Sequence, residues 1–132
     1  MLYAILAYHE EEVVQGWSEP EDDTLMEGLI RVHDGLVDAG RLGPAARLGA
    51  TALAATIRGG VVTDGPFAET KEHLLGLYVT DAPDMNGAIR TALELQAANP
   101  GAVYEVRPIV LYIPGAVFPL TDQGLALVRP GA

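Results

Sequence analysis

The sequence predicts an α+β fold of the ferredoxin-like kind: βαββαβ with an extra hairpin, on one antiparallel sheet. Short apolar runs of strand length recur along the chain, and two longer segments between them carry apolar residues at helical spacing. A Gly59-Gly60 pair in the middle marks a tight hairpin. With 132 residues, 49% of them apolar and 20% charged, the chain fits one globular domain.

Leu2 to Tyr8 reads as a buried strand, closed by the acidic run Glu10-Glu11-Glu12. The polar stretch Gly16 to Asp23 leads to the first helix. Thr24 and Glu27 have capping-box spacing there, and Asp22 and Asp23 suit the positive end of the helix dipole. Leu25, Leu29, Val32 and Leu36, with Met26, Ile30 and Val37, form its apolar stripe, and Gly40 stops it. Ala50 to Arg58 alternates as a strand and turns through Gly59-Gly60 into Val61-Val62-Thr63. Leu74 to Thr80 is the next strand.

The second helix starts around Asp81-Ala82-Pro83-Asp84 and turns Met85, Ala88, Ile89, Ala92, Leu93 and Gln96 inward. Asn99-Pro100-Gly101 ends it. Val103 to Ile109 is the last core strand, with Val103, Glu105, Arg107 and Ile109 on one face and Tyr104, Val106 and Pro108 on the other. Residues 1–110 form the domain, and 111–132 form an apolar tail. The tail's runs Val110-Leu111-Tyr112-Ile113 and Val117-Phe118-Pro119-Leu120 are expected to pack on the domain or on a dimer partner. Apolar residues on both faces of Leu74–Thr80 predict that both faces of the sheet are covered.

Composition excludes several functions. A formal charge of −10, from 18 acidic and 8 basic residues, opposes binding to a phosphate backbone, so no nucleic-acid partner is expected. Without cysteine there is no thiol catalysis, disulfide or thiolate metal site. Ser18 is the lone serine, in a loop, and no G-x-S-x-G elbow, P-loop or GxGxxG is present. No His-x3-His or similar ligand spacing exists, so no metal and no organic cofactor is expected. Met1 to His9 is too short for a signal peptide, and no apolar run approaches the roughly 20 residues that cross a bilayer. A cytoplasmic protein with no membrane partner is the expectation.

The densest segment is Asp64-Gly65-Pro66-Phe67-Ala68-Glu69-Thr70-Lys71-Glu72, which packs a sharp turn, an aromatic residue, carboxylates, a hydroxyl and a lysine before the strand at Leu74. This run resembles the signature of the YCII-related proteins, in the branch named for its Asp-Gly-Pro-Phe motif. Leu2–Tyr8, Leu36-x3-Gly40-x-Leu42, Gly76-x-Tyr78 and Glu105-Val106-Arg107-Pro108-Ile109 extend the resemblance at family spacing. It implies a homodimer in which two sheets meet face to face as a dimeric α/β barrel, with a small-molecule pocket near the interface.

His33 lies on the stripe of the first helix, four residues after Leu29 and three before Leu36. The resemblance implies that such a helical histidine pairs with a carboxylate in the pocket, with Asp64 the first choice and Glu72 the second. A carboxylate fixes the imidazole tautomer and raises its basicity. His33 and Asp64 are therefore the candidate catalytic pair. Lys71 and Glu72 would help hold an acidic or phenolic ligand. Tyr78 would donate a hydrogen bond to it, and Arg107, beside Glu105, would clamp it. Phe67 would wedge the signature turn onto the core. His9 and His73 read as strand-end surface residues. The implied function is small-molecule binding with His/carboxylate acid–base chemistry, of an isomerase, lyase or oxygenase-like kind without a cofactor. The alternative is a non-catalytic accessory protein associated with an extracytoplasmic-function sigma factor.

Overall fold

The computed structural model describes residues 1–115. Val117-Phe118-Pro119-Leu120 lies outside them. The elements run β1 (Leu2–Glu10), α1 (Glu11–Gln15), α2 (Glu19–Asp38), β2 (Leu42–Arg47), a 3₁₀ turn (Thr51–Leu53), β3 (Ala55–Arg58), β4 (Val61–Asp64), β5 (Glu72–Asp81), α3 (Met85–Ala98) and β6 (Val103–Pro108). The main sheet has the order β2-β5-β1-β6, antiparallel at each pairing, and β3-β4 forms a separate two-stranded ribbon. This is the expected α+β, ferredoxin-like arrangement with an extra hairpin.

Alternation along β1 turns Tyr3, Ile5, Ala7 and His9 inward and leaves Leu2, Ala4, Leu6 and Tyr8 half-buried on the opposite face. Ile5 packs with Leu36, Leu42, Ala92 and Leu95, and against Tyr78, Tyr104 and Val106. Tyr3, Ala82 and Ala88 extend this core beside Met85. On the other face, Ala4 and Leu6 oppose Val79 and Leu77 of β5, and Arg107 and Glu105 of β6. No buried residue of a described helix joins a core cluster on that face.

Several elements differ from the sequence reading. The acidic run after β1 winds into α1. The long helix begins earlier than Thr24, because Ser18 and Glu21 form the capping box: Glu21 N donates to Ser18 Oγ, and Ser18 N to Glu21 Oε1. Pro20 then lies in the first turn, where its missing N–H costs nothing. β2 was not expected, since Gly43-Pro44-Ala45-Ala46 lacks β-branched residues. As an edge strand it tolerates the proline, and Arg47 ties it to α2 through two bonds to Asp22, at 2.9 and 3.3 Å. Asp84 caps α3, so Pro83 precedes that helix, and the inward stripe is turned from the expected one. Thr91 and Leu95 are buried, whereas Ile89 and Leu93 are exposed. The described part of the tail does not pack on its own domain, since Val110, Leu111 and Ile113 are exposed.

Gly59 and Gly60 both have positive φ, at 56° and 81°, as a tight hairpin of this hand requires. Gly65 has φ 95°, where a side chain is strained. Its N–H donates to Ala54 O at 2.7 Å, and its carbonyl accepts from Thr56 Oγ1 at 2.9 Å, so the turn is tied to the ribbon. Gly65→Val should destabilise by about 1–2 kcal/mol. Gly28→Ala is the control: it lies in α2 with open space around it, and alanine there should stabilise by about 0.5–1 kcal/mol. Urea denaturation of both variants gives the comparison, and equal midpoints would refute the strain at Gly65.

Candidate functional site

The titratable side chains gather where β1 ends and β5 begins. Register places His9 opposite His73 and Glu10 opposite Glu72. Lys71 Nζ sits 3.2 Å from Glu10 Oε1, offsetting one charge of these facing carboxylates. Glu11, the first residue of α1, turns back toward β5 and the 3₁₀ turn.

Glu11 is held on both oxygens. Thr51 N donates to Oε1 at 2.6 Å and Thr51 Oγ1 to Oε2 at 2.5 Å. The hydroxyl bond most of all, then the amide bond and the nearby His73, hold its carboxyl below the ordinary value of 4.5 against the opposing effect of burial. His73 Nε2 lies 3.7 Å from Glu11 Oε2, and both side chains are largely buried, at 16% and 12% exposure. His73 Nδ1 faces Thr70 Oγ1 at 3.5 Å. The Thr70 hydroxyl spends its proton on Glu72 O, so toward His73 it accepts, and Nδ1 is the protonated nitrogen of the neutral ring. Nε2, the other ring nitrogen, faces the Glu11 carboxylate.

Beside this cluster, His9 forms part of a cleft of ≈ 500 Å³ between α1, the start of α2 and the end of α3, walled by Val13, Trp17, Leu25, Pro100 and Gly101. A smaller cavity of ≈ 240 Å³ lies at Arg41, whose guanidinium is committed to Thr91 Oγ1 at 2.8 Å and Glu94 Oε2 at 3.1 Å.

The other sequence candidates are dispersed. His33 is one-third exposed, and its carboxylate is the adjacent Asp34, at 3.3 Å, in place of Asp64 or Glu72. Asp64 ends β4 in the ribbon and is exposed. Phe67 is 79% exposed, so it does not wedge the turn onto the core. Tyr78 faces the core, where burial raises its phenol well above the ordinary range, as burial also does for Tyr104. Both side chains are half-buried against the core. Arg107 and Glu105 lie on the face without a helix, where Tyr8 OH donates to Glu105 Oε1 at 3.1 Å. Burial chiefly, and Glu105 next, raise the Tyr8 phenol, while Arg107 opposes them. Lys71 pairs with Glu10, and Glu72 stands opposite Glu10 in the register, next in chain to His73. Sequence reasoning missed Glu11, Thr51, Thr70 and Trp17. Glu11 and His73 meet only through strand register, which no local pattern announces.

Among the described residues no group of three or more His, Cys, Asp or Glu could hold a metal ion, and no helix is long and apolar enough to cross a membrane. An uncharacterized protein of Rhizobium meliloti (strain 1021) is 49% identical over 120 residues, covering 87% of this chain and 97% of that protein. The family described as the YCII-related domain matches residues 1–112, a span that contains β1, α1, the signature turn, β5 and the whole His73 cluster. The chain therefore belongs to the YCII-related domain family.

Proposed function

We propose that this protein, as a member of the Asp-Gly-Pro-Phe branch of its family, binds a small polar or aromatic metabolite and moves a proton on it. His73 would be the base and Glu11 the carboxylate that supports it. The observation that carries the reading is the Glu11–His73 pair: largely buried, with the carboxylate fixed twice by Thr51 and the imidazole oriented by Thr70. His73 Nε2 accepts the substrate proton, Glu11 stabilises the imidazolium, and the same nitrogen returns the proton to another position or to water. Lys71, next in chain to Glu72, supplies positive charge for an acidic group. Isomerase, lyase and oxygenase-like reactions all begin with such a step and require no cofactor for it. The base moves from His33 to His73 because His33 has only a solvent-exposed neighbour as partner.

The sheet face bearing Ala4, Leu6, Leu77 and Val79 supports a homodimer, since apolar area left in water costs roughly 25 cal/mol per Å². Light scattering at micromolar concentration should give twice the chain mass, and a monomer would contradict this.

The chemical test is solvent-deuterium exchange. Small acids and phenols that raise the melting temperature are incubated with the protein in D2O, and their C–H signals are followed by NMR. His73→Gln and Glu11→Gln should each slow exchange by about 10²–10⁴-fold, while His33→Gln leaves it unchanged. Exchange that survives His73→Gln, or is lost in His33→Gln, overturns the assignment.

A further inference from the structure

His9 stands apart from the reading above. It is 6% exposed, at the end of the central strand, and its Nε2 is buried with no hydrogen-bond partner. A buried polar nitrogen left unpaired costs about 1–3 kcal/mol, so a native site that keeps one has a use for it. The tautomer follows from the other nitrogen. His9 Nδ1 lies 3.3 Å from Glu10 O, and a carbonyl only accepts, so Nδ1 carries the proton. In the neutral ring Nε2 is then a bare acceptor that calls for a donor.

The surroundings narrow the donor's identity. Trp17 meets the His9 ring edge to face, with centroids 5.3 Å apart and planes at 85°. Val13, Leu25, Ala98 and Pro100 add apolar wall to the same cleft. Its polar members are occupied elsewhere: Glu21 bonds Ser18, Thr24 Oγ1 donates to Pro20 O, and Asn99 Nδ2 donates to Tyr104 OH. Glu21 and a formal charge of −10 disfavour an anion. Gly101 is where the backbone comes closest to Nε2: a Cβ there would stand 2.8 Å from that nitrogen and 3.2 Å from Cε1, so a residue without a side chain leaves room beside it.

We propose that the His9–Trp17 cleft binds a neutral aromatic hydroxyl compound, its ring between Trp17 and Leu25 and its hydroxyl donating to His9 Nε2. This rests on the small-molecule-binding part of the function proposed above and names its site and ligand class. It needs nothing from His73, so loss of proton exchange would leave it standing.

Trp17 is the single tryptophan of the chain, so its fluorescence reports this cleft alone. The probes are phenol, anisole, which has the same ring without a donor, and benzoate, which is anionic. Phenol should quench Trp17 saturably and bind about three- to tenfold tighter than anisole, the worth of one neutral hydrogen bond, with benzoate weakest. His9→Phe keeps the ring and removes Nε2. It should raise the melting temperature and bring the phenol-to-anisole ratio to about one. Gly101→Ala should weaken phenol and anisole alike, because its methyl group would take the space beside the His9 ring. For the wild type, the ¹⁵N shift of His9 Nε2 should move with phenol and stay with anisole, a readout that survives any failure of a variant to fold. Equal affinity for phenol and anisole, or an Nε2 signal already hydrogen-bonded without ligand, would mean that a trapped water serves the nitrogen. Either result overturns the proposal, as would benzoate binding better than phenol.

Discussion

Leu95→Ala should remove about 2–5 kcal/mol of stability, a large part of what a domain of this size has. Leu95 is 0% exposed and packs with Ile5, Leu36, Leu42 and Ala92, so truncation leaves a hole where both helices meet the sheet. Leu93→Ala, two residues away on a side chain 57% exposed, should change stability by less than about 0.5 kcal/mol. Chemical denaturation of the pair decides the point, and similar costs would contradict the burial of Leu95 in place of Leu93.

The second large effect concerns acid. Hydrogen bonds to a charged group contribute about 1.5–3 kcal/mol each, and Glu11 makes two to Thr51. Because its folded pKa is depressed, the unfolded chain takes up this proton more readily than the native one. The stabilisation is therefore complete above the ordinary glutamate value of 4.5 and is lost as pH falls through the lower native value. Glu11→Gln keeps one acceptor oxygen but loses the charge and the other, so it should lower stability at neutral pH by about 1.5–3 kcal/mol. It should also flatten the part of the acid-denaturation curve that this group supplies. The measurement is the urea midpoint of wild type and variant at several pH values between neutrality and strong acid. A constant difference across that range would contradict the linkage.

How much was legible depended on whether the deciding contact was local. The strands at Leu2, Leu74 and Val103 announced themselves as short apolar runs, and Gly59-Gly60 by the backbone angles only glycine adopts easily. Ser18 and Glu21 were just as readable as Thr24 and Glu27. Choosing between two boxes of the same spacing needed the helix length, which packing sets. On α3 the choice of Leu93 over Leu95 was an error of phase: Ala88 and Ala92 fit either stripe, and small residues do not say which flank bears the larger side chain. β2 stayed hidden because its pairing with β5, not its composition, makes it a strand. The candidate site failed to read for a sharper reason. Periodicity placed His33 on a helix but could not supply its partner. His73 and Glu11 are brought together by the antiparallel register of β1 on β5. Lys71 and Glu72 were named for their nearness to the signature, and they lie beside that pair.

β1 leaves the ribosome before the strands it pairs with, since its neighbours are β5 and β6 and its Tyr3 waits for Pro108. At a synthesis rate of about 5–20 residues per second, the apolar segment Leu2–Tyr8 stays without strand partners for several seconds. No local hairpin can shelter it, because β2, the next strand of the main sheet along the chain, pairs with β5 and not with β1. The central strand is thus made first and closed last. The nascent chain is exposed to aggregation until β6 emerges, and truncations that remove Val103–Pro108 should leave Leu2–Tyr8 open to other chains along one whole edge.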